Sequence, residues 1–390
     1  MQMSMVRRGS FWFFSIFLLF TALSAASAQQ YVVTNDDTTV FSVNGVTFYT
    51  IGTGGVLDLY KQVPSGGSGI SGGFFGADRL AILNNGSTQC VYASLALTGG
   101  IAGINVSTLE AVGTTYGSAT DNGTGNGIGL AINNQYLYAS YSSSNTIATF
   151  QVEPGCSLSF VSDVAVIGLQ GGFVDGMAIH GNTMIVTYGD GSIQSFNISS
   201  GAPVSNGDIQ NSTGAIQSAY ASYPTSVEIT QDGHYAIFGD TSTSTLVEVS
   251  DISSGKLKKT VSYTLGAGIN SSNILLSPDE TLLYIANTQG DALSAAFFNA
   301  TTGKLTPGCI SSSLKGYVAN WSYLGSLSLQ TNVGTGNVVY VAEFGTSGIA
   351  MINVTSANGQ CTLTEMATSP VADPNSAGLL SIGTFPPRSF

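Results

Sequence analysis

The chain is 390 residues long, carries 22 acidic against 10 basic residues, and is only 8% charged. Its one basic cluster, KLKK from Lys256 to Lys259, does not offset that balance, which excludes nucleic acid and anionic membrane surfaces as partners. Gly, Ser, Thr, Asn, Val and Tyr dominate and no stretch holds an amphipathic helical period, so the composition predicts an all-β fold.

Arg7 and Arg8, the apolar run FWFFSIFLLF from Phe11 to Phe20, and SAASA ending at Ala28 form the pattern of a secretory signal peptide. The apolar run is too short for an ordinary spanning helix. Residues 1–28 are therefore set apart, and residues 29–390 are expected as one domain in the secretory pathway or outside the cell, with no membrane attachment once the leader is cleaved.

Next comes YVVTNDDTTVFSVNGVTFYTIG, Tyr31 to Gly52, which reads as strands b, c and d of a unit lacking its first strand. The loop SGGSGISGGFFGAD, Ser65 to Asp78, contains a G-x-G-x-x-G at Gly67, Gly69 and Gly72. No strand-then-helix context surrounds it, so it reads as a flap carrying Phe74 and Phe75 rather than as a phosphate loop. From there six units follow about 50 residues apart, opening at Arg79, Gly129, Gly176, Ser226, Asn273 and Ser326. Each reads as four short strands, a to d. The chain ends on GLLSIGTF, Gly378 to Phe385, which matches strand a alone. The two terminal fragments complete one another, and the expected fold is a seven-bladed β-propeller of four-stranded blades, closed by a C-terminal strand a joining N-terminal strands b–d. A β-helix solenoid would have shorter rungs and no complementary termini.

The repeat sorts the remaining residues. Cys90, Cys156, Cys309 and Cys361 have no C-x-x-C spacing, which points to disulfides in an oxidising compartment. Of three pairings, Cys90–Cys156 and Cys309–Cys361 are favoured because each would join neighbouring blades near the a–b and c–d turns. Nine N-x-S/T sequons, at Asn85, Asn105, Asn122, Asn197, Asn211, Asn270, Asn299, Asn320 and Asn353, predict glycosylation behind such a leader. His180 and His234 fall at a–b turns and read as turn filler. With no G-x-S-x-G, no H-E-x-x-H and no metal-spaced histidines, neither a metal nor a cofactor nor a covalent nucleophile is expected.

A ligand site is expected at the other end, where the b–c and d–a loops converge on the inner strands. Asp37, Asp190, Asp240, Asp291 and Glu343 form an acidic rim there. Around the channel mouth stand Phe173, Tyr223, Tyr323, Asp78, Asp175 and Thr225 among other residues. Arg79 heads an inner strand, either as an ion-pair partner of Asp78 or Asp175 or as a donor fork to a ligand carbonyl or carboxylate. The candidate catalytic residues are therefore Arg79, Asp78 and Asp175, and the candidate ligand contacts are Phe74, Phe75, Phe173, Tyr223, Thr225, Asn273, Trp321 and Tyr323.

Ser277-Pro278-Asp279, Tyr284-Ile285-Ala286-Asn287 and Thr302-Gly303-Lys304-Leu305, echoed by Gln231-Asp232-Gly233 and Ser254-Gly255-Lys256-Leu257, resemble the turns and strands of the lactonase and carboxymuconate-cyclase propellers. That resemblance implies catalysis at the starts of the inner strands, often by histidine after proline. Here Thr225 follows Pro224, and arginine is scarce, so a multiply anionic substrate is not expected. The architecture is also similar to fungal hetero-Diels–Alderases of secondary metabolism, which implies an apolar, polyfunctional metabolite cyclised by positioning. The alternatives are a secreted propeller that holds a lipid or apolar ligand without turnover, a lactonase-type cyclase, and, last, an adhesin using an outer face.

Overall fold

The computed structural model describes residues 30–71, 78–118, 127–212, 224–240, 246–265, 271–287, 292–316, 324–333, 336–376, 378–379 and 381–387. The leader, Asn122, Asn270, Asn320, Asp291, Phe74, Phe75, Tyr223, Trp321 and Tyr323 lie outside them.

Seven antiparallel sheets make up the fold, and their first strands touch one another in a closed ring. Blade one takes strand a from Ser381–Phe385, b from Tyr31–Asn35, c from Gly45–Ile51 and d from Leu57–Pro64. Its closing ladder pairs Tyr31 with Phe385 through to Asn35 with Ser381. The N-terminal fragment thus supplies b and c within Tyr31–Gly52, while d lies beyond it. The stretch VFSVN inside that fragment is the tip of a b–c loop, turned by Val43 and Asn44 N–H groups donating to Val40 O.

Blade two runs Leu80–Asn84, Gln89–Leu95, Gly100–Asn105 and Glu110–Tyr116. Blades three, five and six repeat this order from Ile128, Pro224 and Ser271, and blade seven, from Leu324, adds a short Val371–Ala372 that also pairs with its strand c. Blade four, from Val174–His180, ends in a divided outer strand, Val204–Ser205 and Gln210–Asn211, both paired to Ser192–Asn197.

Burial follows strand rank. Blades stack face to face, so a strand b is covered on both sides and reads as a continuous apolar run, as in Leu282–Asn287, all six residues of which are buried. The outer Glu110–Tyr116 has no buried residue and alternates nothing. Tyrosines on strand b fasten neighbours: Tyr138 Oη donates to Gly201 O at 2.8 Å, and Tyr340 Oη to Gly55 O at 3.0 Å, each in the c–d turn of the following blade. Gly55 sits at φ 82°, and a Cβ there would meet Val338 at 2.6 Å, so only glycine fits under that tyrosine. Two disulfides, Cys90–Cys156 and Cys309–Cys361, join blades two to three and six to seven, in the expected pairing.

Candidate functional site

At the b–c end the chain leaves strand b of blade one through Asn35, Asp36 and Asp37. Asp37 holds a φ of 50°, which turns its carboxylate back under the loop, where it pairs with the Arg79 guanidinium. Both side chains are buried, at 1% and 3% exposure. The partner is thus Asp37 from the rim, not one of the two carboxylates expected. Arg79 is also tied through its backbone: its N–H donates to Ser381 Oγ at 3.1 Å, and its carbonyl accepts from Ser94 N–H and Asn35 Nδ2.

The glycine loop is the lining of this pair. A Cβ on Gly69 would lie 2.4 Å from Asp37, and one on Gly67 would lie 2.4 Å from Leu95. The Ile70 N–H donates to Asp37 Oδ1 and the Ser71 N–H to Asp37 O. Gly69 lets the backbone lie flat on the ion pair and Gly67 lets it lie on Leu95, and Ile70 and Ser71 are pinned to Asp37.

Asp78 precedes Arg79 and differs from it in being exposed. Protein crowds it on its other sides, and the lost hydration pushes its carboxyl up to about 6. Its carbonyl accepts from Leu130 N–H of blade three at 2.7 Å, which fixes the residue between two blades.

Asp175 occupies a β-bulge between Val174 and Gly176 and is buried. Thr225 and Ser272 occupy the same bulge in blades five and six, and the ladder of blade seven slips at the corresponding point, between Leu324 and Leu327. Blades four to seven thus carry extra residues at the heads of their inner strands, which blades one to three lack, and such bulges are common beside binding sites. Phe173 is half-buried, with its ring against Gly189, and Asn273 is buried in the inner strand of blade six.

The acidic rim divides by how its oxygens are used. Burial alone would raise Asp190, but Ser192 Oγ and the N–H groups of Gln170, Gly172 and Ser192 all donate to it and hold it below the usual carboxylate range. It organises a loop. Asp240 is fully buried at the end of its strand. Glu343, 2% exposed, accepts from Thr346 Oγ1 at 3.0 Å, and its Oε1 has no hydrogen-bond partner among the described residues. Burial, with repulsion from Glu365, pushes this carboxyl up to about 7. A buried pair that the repeat pattern did not reveal, Asp36 and Asp373, joins blade one to the segment before the closing strand; burial and mutual repulsion raise Asp36, and burial raises Asp373. Thr34 Oγ1 donates to Asp373 at 2.8 Å and Thr47 Oγ1 to Asp36 at 2.8 Å.

The large apolar side chains left exposed are also sorted. Val40, Phe41 and Val43 tip the blade-one b–c loop, Leu97 the blade-two b–c loop, and Ile167 and Leu169 the connection into blade four. The others stand on outer strands d, and none lies in an a–b or c–d turn among the described residues.

The turn end has an open groove of about 920 Å³ between blades six and seven, lined by Ser277, Asp279, Thr281, Phe297, Asn337 and Gln360 among others. It lies far along the fold from Arg79, and its one carboxylate is spent: Asp279 accepts from Ser277 Oγ, Thr281 Oγ1 and Thr281 N–H. The Ser-Pro-Asp motif builds a turn. Among the described residues no group of three or more His, Cys, Asp or Glu side chains is placed to hold a metal ion.

The family model described as lactonase, 7-bladed beta-propeller, matches residues 177–375. The chain belongs to the lactonase family. No curated protein matches it significantly. Among solved structures, this lactonase-family chain is similar to a candidate 6-phosphogluconolactonase from Bacteroides uniformis, with TM-score 0.70 and 14% identity over 92% of this chain and 100% of that one. A candidate 6-phosphogluconolactonase from Bacteroides fragilis gives 0.68 at 15% identity over 92% and 99%. A functionally unknown protein from Desulfotomaculum acetoxidans gives 0.61 at 13% over 88% and 99%. At such identities the likeness shows the propeller fold and carries no activity with it.

Proposed function

We propose that this lactonase-family propeller is a secreted protein that binds a largely apolar, carbonyl-bearing small molecule at its b–c end, and that Asp78 moves a proton there. The observation that carries the reading is the sorting of exposed apolar side chains: away from the outer strands they gather only on loops of this end, with Phe41 60% exposed. Those loops stand over the heads of the inner strands, where Asp78 is open.

The chemistry follows from what is available. The Arg79 guanidinium is committed to Asp37, so the site lacks the basic fork that a phosphorylated or dicarboxylate substrate needs. An apolar lactone makes no such demand. Asp78 as carboxylate takes a proton from water as its oxygen attacks the carbonyl carbon. The ring C–O bond then breaks, and the proton passes to the departing oxygen; ring closure is the same path reversed. A carboxyl near 6 is close to the working pH, where a general base is most effective.

A second reading uses the same surface. Because Asp37 consumes the one nearby guanidinium, recognition falls to shape and apolar contact, which is what a guided cyclisation requires; positioning alone can contribute about 7–11 kcal/mol.

The test combines binding and turnover on apolar lactones and polyene precursors. Phe41→Ser is expected to weaken binding by tenfold or so, the worth of about 1.4 kcal/mol. Asp78→Asn should retain binding and lower hydrolysis by about 10²-fold or more, with the wild-type rate rising through pH 6 as the base form appears. Retained turnover in Asp78→Asn would move the case to guided cyclisation. Failure of any apolar compound to bind, with Phe41→Ser indistinguishable from wild type, would sink both readings.

A further inference from the structure

At the turn end, Asn85 stands in the a–b turn of blade two, and Asn105, Asn197 and Asn299 each close strand c of blades two, four and six. All four belong to N-x-S/T sequons. Asn85, Asn197 and Asn299 are exposed and Asn105 is half-buried.

Each uses its side chain the same way. Asn85 Oδ1 accepts from Thr88 N–H at 2.9 Å, Asn105 Oδ1 from Ser107 N–H at 2.9 Å, and Asn197 Oδ1 from Ser199 N–H at 2.8 Å. Asn299 Oδ1 accepts from Thr301 and Thr302 N–H at 3.1 and 3.0 Å. Their Nδ2 atoms donate to nothing among the described residues. Buried asparagines outside sequons, Asn35, Asn44 and Asn287, donate through Nδ2, whereas Asn84 and Asn133 at a–b turns use Oδ1 alone as the sequon asparagines do, so what marks the four is a free amide inside a sequon. Blade five provides the control within the molecule. Asp251 holds the strand-c position there, and its Oδ1 accepts from Ser253 N–H at 2.9 Å, so the turn asks only for an oxygen. The amide nitrogen is therefore surplus to the fold at the four sequons.

We propose that the turn end is a glycan-bearing face, with oligosaccharide on Nδ2 of Asn85, Asn105, Asn197 and Asn299; this rests on the secretory leader. In the transfer, Nδ2 attacks the anomeric carbon of a lipid-diphosphate-linked oligosaccharide. The N–C bond forms as the C–O bond to diphosphate breaks, the amide gives up one proton, and no oxidation state changes. A glycan on this nitrogen leaves every turn hydrogen bond in place, and carbohydrate then covers the end that has no exposed large apolar group among its described turns.

The experiment expresses the full chain in a eukaryotic secretory host, treats the secreted protein with peptide-N-glycosidase F in heavy-oxygen water, and maps the marked asparagines by mass. The four turn-end sites are expected to be marked. Asn197→Asp and Asn299→Asp should each remove one glycan while melting as the enzymatically deglycosylated protein does, because aspartate keeps the oxygen that the turn uses. Secreted protein with these four peptides unmarked overturns the proposal while leaving the leader reading intact. Retention inside the cell with no glycan overturns both. Marks confined to Asn211 or Asn353 would also overturn it, since Asn211 lies towards the other end and Asn353 in mid-strand.

Discussion

With its guanidinium on Asp37 and both groups buried, Arg79 holds the start of blade two against the b–c loop of blade one. Removing one partner leaves a buried charge unmatched, so Arg79→Ala is expected to lose about 3–5 kcal/mol in denaturant unfolding, and Asp37→Ala similarly. The double variant Arg79→Met/Asp37→Leu should lose much less than the two singles summed, because no charge is stranded. Single variants that unfold like wild type would show the pair to be dispensable and return Arg79 to the ligand site. Glu343 works in the opposite sense. Its folded carboxyl sits near 7 against an ordinary 4.5, so the folded state holds this proton more tightly than the unfolded chain does. Its contribution is fully present below about 4.5 and is lost as pH rises through 7, at most about 3 kcal/mol. Raised Asp36 and Asp373 act in the same direction. Thermal melts should therefore fall from pH 5 to pH 8, and Glu343→Gln should flatten that slope and melt higher than wild type at pH 8. An unchanged slope would mean that Glu343 is hydrated rather than sealed.

At the scale of strands and turns, local chemistry was readable wherever one residue type does one job. Ser277-Pro278-Asp279 announces a turn because Asp279 collects its hydrogen bonds from within five residues, and LLYIAN announces a strand because both of its faces are covered. The disulfide pairs became legible once the repeat put neighbours side by side, whereas the strand-b tyrosines that fasten adjacent blades showed only in the structure. What escaped was long-range or irregular. A bulge at Asp175 adds one residue without disturbing the alternation on either side, so only the ladder reveals it. VFSVN alternates like a strand yet has no partner, and the true strand d of blade one begins at Leu57. Asp37 was visible as a rim acid, but its pairing with Arg79 joins residues 42 positions apart through a left-handed backbone that sequence does not announce. Asp36 and Asp373, at opposite ends of the chain, carried no signal beyond being acidic.

Sidedness and closure belong to the molecule as a whole. Apolar loop tips at one end and none in the described turns of the other give the disc two unlike faces, which a ring of equivalent units would not have by itself. The ring is held shut by a short strand. Ser381–Phe385 completes blade one, and around it Leu379, Ile382 and Phe385 are buried at 0%, 5% and 2% exposure. Each such side chain is worth about 1.5–3 kcal/mol when buried, and removing the strand also bares the edge of Tyr31–Asn35. Truncation before Gly378 should thus cost a large part of the roughly 5–15 kcal/mol that holds a typical native protein together. The expected outcome is a protein that melts far below wild type and self-associates on size exclusion, because an open strand edge templates pairing with another copy. A synthetic peptide spanning residues 376–388 should restore the melt when added in excess, since it re-supplies the missing strand and little else. A truncated protein that stays monomeric and melts within a few degrees of wild type would show that the inter-blade faces, rather than the closing strand, keep the ring together.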